Sequence, residues 1–239
     1  MSYSSESVFA VAPLEHQVNA CWSCGAALKH AELFCSSCSK IQPLPLNITY
    51  FEVFQLPGKL NIDPSALERE FYRLSRKLHP DVFARASQPE QEWSLANSSL
   101  LNDAYRTLKD PIKRTEYLLK LEGVVSGDEG GKKEDRVPVD LLEEVFELNM
   151  QLDEMRMNRQ MGEDDPQLHK DLMAAKINFD AQLKSTDTAL EVLWVKWDGS
   201  LDSGDETNKL AAKNELAALL DRRRYIRNLV NSVNEALEA

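Results

Sequence analysis

The sequence predicts a mainly α-helical protein in three parts: a small tetracysteine knuckle domain, a helical hairpin and a C-terminal antiparallel three-helix bundle. Three observations carry this prediction. Apolar residues recur at helical spacing through most of the chain beyond residue 50, with no internal repeat and no β pattern of note outside the cysteine region. All four cysteines fall within eighteen residues, as Cys21-Trp-Ser-Cys24 and Cys35-Ser-Ser-Cys38. A proline-stopped turn, Leu78-His79-Pro80-Asp81-Val82, divides two amphipathic segments. The expected boundaries are 1–45 for the head and its linker, 46–121 for the hairpin unit, 122–139 for a flexible linker and 140–239 for the bundle.

The head is too poor in apolar side chains to hold a core of its own, so it needs an internal staple. Two C-x-x-C pairs with ten residues between them place four thiolates around one tetrahedral ion, and Cys21, Cys24, Cys35 and Cys38 are the expected ligands. Zinc suits such a set, with iron as a substitute that spacing leaves open. A closed four-thiolate site has no free coordination position, so the role is structural. Two disulfides are the competing reading, set against a chain that otherwise looks reduced and cytosolic. A redox C-x-x-C would need a βαβ context that is lacking. His16 and His30 are nearby but superfluous, and Pro43 and Pro45 lead out of the head.

In the hairpin, Leu67, Phe71, Leu74 and Leu78 form one stripe, and Arg69, Arg73, Arg76 and Lys77 fall opposite as a cationic face. Asp63-Pro64 starts that helix and Pro80 stops it, because proline disfavours helical His79 and has no amide to donate. Ser87 and Glu90 fit a capping box for the next helix, whose expected inner stripe is Trp93, Ala96, Leu100, Ala104 and Leu108. Antiparallel packing leaves His79 and Asp81 at an exposed loop tip. With no pocket or nucleophile there, a catalytic dyad is disfavoured. Asp110-Pro111 opens a short helix bearing Ile112, Thr115, Leu118 and Leu119, closed at Gly123.

Residues 122–138 lack an apolar period, Ser126 to Glu134 being the loosest. Asp140 with Glu143 reads as a cap for a helix with the stripe Leu141, Val145, Leu148, Leu152 and Met155, ended by Gly162. Asp165-Pro166 starts the next, with Leu168, Leu172, Ala175, Phe179, Leu183, Leu190, Leu193 and Trp197 inward and a break or kink at Ser185–Thr188 as an open alternative. Asp198 to Asp205 reads as a connection, and a last helix over about 206–236 carries Leu216, Leu219, Tyr225, Ile226, Leu229, Val233 and Leu237. Leu142 and Phe146 are rotated off the inner stripe. They are either a broad core face or a partner-binding patch rimmed by Glu143, Glu147 and Met150.

The net charge of −11 is concentrated in residues 122–239, with fifteen basic against twenty-six acidic side chains. That balance argues against nucleic acid as the partner, and the local basic face suits an acidic protein surface instead. No run approaches the ~20 apolar residues of a membrane span. Met1 to Asn19 has no Lys or Arg, unlike a secretory or organelle leader, so a cytoplasmic location is expected.

The hairpin resembles the J domain of DnaJ-type co-chaperones over about residues 48–112. The residues that carry the likeness are Tyr50-Phe51-Glu52-Val53-Phe54, the basic helix, His79-Pro80-Asp81 and Leu101-Asn102-Asp103-Ala104-Tyr105. That resemblance implies docking on a seventy-kilodalton heat-shock ATPase through the His-Pro-Asp turn and basic face, with stimulation of ATP hydrolysis. Pro111 to Leu119, Leu141 to Glu154 and Arg224-Tyr225-Ile226 are further similar to HscB, the J-type co-chaperone of iron–sulfur cluster assembly. This likeness implies an HscA-type ATPase and an IscU-type cluster scaffold as partners, with Leu142, Phe146 and Tyr225 at the scaffold-contacting positions. It implies no enzyme activity. Val82 stands where a lysine is common, and Phe146 and Tyr225 replace a leucine and a phenylalanine.

Overall fold

The computed structural model describes residues 20–45, 47–124 and 138–238. The N-terminal residues read above for a leader and the linker at 126–134 lie outside them. Among the described residues the chain is helical apart from two isolated β-bridges in the head. The helices are α1 (Tyr50–Val53), α2 (Pro64–Leu78), α3 (Gln88–Lys109), α4 (Pro111–Leu121), α5 (Leu142–Met161), α6 (Pro166–Ser203) and α7 (Glu206–Glu238). The chain divides into two compact units. One takes the described residues up to Gln55 with Arg69–Ala104, and the other takes Leu56–Glu68 with the described residues from Tyr105 onward.

In the first unit the two cysteine knuckles have the same construction. Gly25 N–H donates to Cys21 O and Ser39 N–H to Cys35 O, at 2.9 and 2.8 Å, and both donors have left-handed backbone. Each knuckle is closed by one bridge, Ala20 to Ala27 and Phe34 to Ile41. The end of α2 and the start of α3 complete the unit. Here the expected inner stripe of α3 is corrected: Ala96 is exposed and Trp93 and Leu100 are only half-buried, whereas Ser94, Asn97, Leu101 and Ala104 are buried. The reason is polar. Val82 N–H, which would donate to Leu78 O if α2 continued, donates to His79 O at 2.9 Å, so Leu78 O accepts from Ser94 Oγ at 2.6 Å and Ser98 Oγ at 2.9 Å instead. Asn97 Nδ2 donates to Gln42 O in the head at 3.0 Å.

In the second unit α5, α6 and α7 form the expected bundle around Leu148, Leu172, Phe179, Ile226 and Val233. Gln182 Nε2 donates to Glu144 at 2.7 Å, and Arg222 pairs with Asp140 at 2.6 Å. Arg159 reaches the carbonyl of Ala236, so α5 and α7 run parallel with α6 against them. The cap expected at Asp140 is not made. Residues 139–141 form a 3-10 turn, Leu141 precedes α5 without a side-chain cap, and the Asp140 carboxylate is held by Arg222.

Helix α6 is unbroken over 38 residues, about 57 Å at 1.5 Å per residue. Thr186 and Thr188 donate back to the carbonyls of Gln182 and Lys184, which keeps their hydroxyls inside the helix rather than breaking it. It also runs through Asp198–Ser203, read above as a connection. Asp198 is buried and accepts from the backbone amides of Leu60 (2.7 Å) and Asn61 (2.9 Å), contacts that hold the extra turns. Trp197 Nε1 donates to Gly58 O at 3.1 Å, and Lys209 pairs with Glu122 at 3.1 Å. The 58–61 segment and α4 therefore cover the end of the α6–α7 pair that α5 does not reach.

Candidate metal centre and partner-binding surfaces

The Sγ atoms of Cys21, Cys24, Cys35 and Cys38 lie within 4.8 Å of one another. Cys21–Cys38 and Cys24–Cys35 are 3.6 and 3.7 Å apart, close to the edge of about 3.8 Å that a tetrahedron with metal–sulfur bonds of ~2.3 Å requires. All four are free thiols, so the disulfide reading is set aside. Their ionisation shows why they need a cation. Burial pushes the Cys21 thiol up, but the backbone amides of Cys24 and Ser23 and the thiols of Cys38 and Cys35 lower it to about 6. The amide of Ala26 favours ionised Cys24, yet Cys38, burial, Cys21 and Cys35 together raise it to about 12. Four thiolates this close cannot coexist without positive charge, and a divalent ion supplies it. Gln42 Nε2 and Ser23 N–H, each 3.4 Å from Cys21 Sγ, orient that ligand.

The head is joined to the hairpin by ion pairs and rings. Lys40 Nζ lies 2.9 Å from Glu90 Oε1, His30 Nε2 lies 3.0 Å from Glu52 Oε1, and the Trp22 and Trp93 ring centroids are 5.5 Å apart. Glu90 is the hub. Its carboxylate also accepts from Ser87 N–H at 3.1 Å and Ser87 Oγ at 2.7 Å, so Ser87 donates its hydroxyl where a full capping box would accept with it. The donors from Lys40 and Ser87, working against burial, hold the Glu90 carboxyl down at about 2, below its ordinary 4.5. The folded-state value is the lower one, so this contribution to stability is complete above the ordinary value. It is lost as pH falls from about 4.5 towards 2. Glu90→Gln is expected to flatten the stability–pH slope in that window, read by acid titration of the unfolding midpoint. An unchanged slope would remove Glu90 from this role.

The tip itself is a 3-10 turn over Pro80–Phe83, not an irregular loop. His79 Nδ1 accepts from Asp81 N–H at 3.3 Å, so the backbone of the turn orients the imidazole, and the Asp81 carboxylate stands 3.5 Å from the same nitrogen. Both are exposed, as is Pro80. Along α2, Arg69, Arg73, Arg76 and Lys77 are all exposed, but they are not equivalent. Arg73 Nε donates to Glu70 at 2.7 Å, which offsets its charge. The structure thus brings His79, Pro80 and Asp81 into one turn, one helical turn from Arg76 and Lys77.

On α5 the two alternatives for Leu142 and Phe146 are separated. Leu141, Val145, Leu148, Leu152 and Met155 are buried, whereas Leu142, Phe146 and Met150 are 50%, 69% and 60% exposed. At 100° per residue this second stripe lies on the side of the helix opposite the first. Glu143 and Glu147 flank it, also exposed. Tyr225 is half-buried against the bundle core. The Asp140–Arg222 pair puts it level with the first turns of α5. Lys40, Glu90, Ser94, Asn97 and Ser98 were not anticipated as supports of the tip. For Ser94, Asn97 and Ser98 the trace in the sequence is polar residues at i, i+3 and i+4 on what should be an apolar face, and for Glu90 it is the capping pattern with Ser87.

Known proteins resolve which architecture this is. The DnaJ domain matches residues 49–117, spanning α1 to α4. Beyond it, the iron–sulfur cluster co-chaperone protein HscB of Mus musculus is 35% identical over 146 residues, 60% of this chain and 61% of that protein. The chain carries a DnaJ domain and, over 60% of its length, is similar to HscB. The HscB homolog of Arabidopsis thaliana is 37% identical over 134 residues, 56% of this chain and 51% of its own length. The matches thus span between half and two thirds of these HscB relatives. The crystal structure of human co-chaperone protein HscB shares the fold, at a TM-score of 0.62 and 24% identity over 90% of this chain and 97% of that one. No helix of the described residues is long and apolar enough to cross a membrane.

Proposed function

We propose that this chain is a co-chaperone that carries an iron–sulfur cluster scaffold to a seventy-kilodalton heat-shock-type ATPase and stimulates ATP hydrolysis there. The observation that carries the reading is the exposed His79-Pro80-Asp81 turn beside Arg76 and Lys77, in a chain similar to HscB. In this reading residues 46–121 act as the J domain. His79, Pro80 and Asp81 are the plug, and Arg69, Arg73, Arg76 and Lys77 steer an acidic surface of an HscA-type partner. Residues 140–239 hold an IscU-type scaffold on Leu142, Phe146, Met150 and Tyr225, with Glu143 and Glu147 at the rim and the 122–139 stretch linking the two modules. Holding both partners on one chain raises the concentration of client at the ATPase, with no covalent step by the co-chaperone itself.

Residues 1–45 are the structural head, with zinc on Cys21, Cys24, Cys35 and Cys38. The tetrahedral spacing of the four sulfurs supports zinc, and free thiol ligands fit a reducing compartment such as the cytoplasm.

Two variants test the division of labour. His79→Gln is expected to abolish ATPase stimulation and leave scaffold affinity intact; stimulation that survived would sink the docking mode. Leu142→Ser with Phe146→Ser is expected to weaken scaffold binding by about 100-fold, as for a pair of anchor residues. Calorimetric titration reads this second effect, and unaltered affinity would withdraw the patch.

A further inference from the structure

We infer that the metal head forms the second wall of the ATPase-docking site, making with the hairpin tip a groove for an acidic segment of the ATPase that carries an aliphatic side chain. The groove holds about 610 Å³, and both of its walls belong to the first compact unit. Phe34 and Ser39 of the second cysteine knuckle line one side, and Arg76, Lys77, Val82 and Phe83 line the other. Its lining is mixed, and the apolar part includes Val82, 64% exposed, and Phe34, half-buried. Its rim is positive. Lys40 and Glu90 neutralise each other within it, while Arg76 and Lys77 make no close ion pair among the described residues, Lys77 acting on the Glu70 carboxylate only through its longer-range field. The Lys77 ammonium lies 5.9 Å from the centroid of the Phe34 ring, so one wall already touches the other.

Two arguments fix the occupant. The Arg76 and Lys77 cations beside the apolar Val82 and Phe34 select an extended chain with carboxylates next to an aliphatic residue. Continuity identifies the source, because Val82 and Phe83 belong to the same 3-10 turn as Pro80 and Asp81. A partner engaged on His79 and Asp81 therefore meets the mouth of the groove one residue later. The inference rests on the ATPase docking proposed above and adds a contact from outside the J domain. The wall exists only while Cys35 and Cys38 hold the second knuckle in its turn.

Ser39 is the position to test. It is exposed, and its φ of 59° is one that Asp and Asn tolerate. In the metal-loaded full chain, Ser39→Asp is expected to weaken binding to an HscA-type ATPase about five-fold, and the neutral Ser39→Asn by less than about two-fold. Metal content and scaffold affinity should stay at wild-type levels. Phe34→Leu, which shortens the same wall without adding charge, is expected to weaken binding about two-fold and decides the matter if the aspartate variant loses its metal. Equal binding by Ser39→Asp and Ser39→Asn, with His79→Gln still abolishing stimulation, would overturn the groove and leave the docking mode standing. Failure of the wild-type chain to bind the ATPase would overturn both.

Discussion

Asp198→Ala is expected to destabilise the second unit by about 3–5 kcal/mol, the penalty typical of breaking a buried charged network. Asp198 is 9% exposed and accepts from the amides of Leu60 and Asn61 and from Asn61 Nδ2, at 2.7, 2.9 and 2.8 Å. Arg114, 6% exposed, lies in the same field. Burial pushes its guanidinium below the usual range while Asp198 and Asp110 pull it back. Arg114 also donates to Leu108 O at the end of α3. Alanine at 198 would leave two backbone amides without an acceptor and a buried cation without its nearest opposing charge. The midpoint of urea unfolding, followed by helix signal at constant slope, reads the loss. Asp198→Leu combined with Arg114→Met should recover part of it, because the unpaired charge leaves together with its partner. A midpoint unmoved by Asp198→Ala would mean that these bonds do not hold the last turns of α6.

Removing the metal is expected to unfold residues 20–45 while α5, α6 and α7 keep their helical signal. The head has few buried apolar groups, chiefly Ala31, Leu33 and Ile41 besides two of the cysteines. Most of its stability must therefore come from the ion, and structural zinc sites bind with an apparent ~10–16 kcal/mol that is also folding free energy. Trp22 makes the change visible. Its Nε1 donates to Ile41 O at 2.7 Å and its ring packs tilted against Trp93 at 5.5 Å, so tryptophan fluorescence and amide-exchange protection at 20–45 should both collapse under a strong chelator. Cys35→Ser should reproduce the effect without a chelator, since that sulfur is buried. Protection that persisted after complete metal loss would show that the head folds by packing alone. The expected consequence for the hairpin is partial: Glu90 loses Lys40 and Asn97 loses Gln42 O, but Ser94 and Ser98 still hold Leu78.

Features of the site that depend on neighbours in sequence were legible without coordinates. Pro80 ends α2, Pro111 and Pro166 open α4 and α6, and Gly162 closes α5 in left-handed geometry. The cysteine spacing located the sulfur cluster, and the helical period located the inner stripe of α5 and most of that of α7, where Leu220 is buried and Leu219, read as inward, is half-buried. The other errors have one form. Trp93, Ala96 and Leu100 were placed inward because they are apolar or small, yet Ser94 and Asn97 occupy the interior. Asp140 was read as a cap and Asp198 as loop, yet one pairs with Arg222 and the other anchors the 60–61 backbone.

The sequence by itself determined where most helices start and stop, which four sulfurs stand close enough to share an ion, and which turn carries His79 and Asp81. Each of these is decided within a few residues by backbone sterics, capping or ligand spacing. Only the tertiary structure decided which polar side chains are buried and which apolar ones are not. Ser94 is inside because the Leu78 carbonyl, left without an amide donor at the end of α2, comes to meet it, and Phe146 is outside because Val145 and Leu148 already fill the core side of α5. Whether a hydroxyl or a ring leaves water depends on what stands opposite it in space, and the residues that stand there lie far away along the chain.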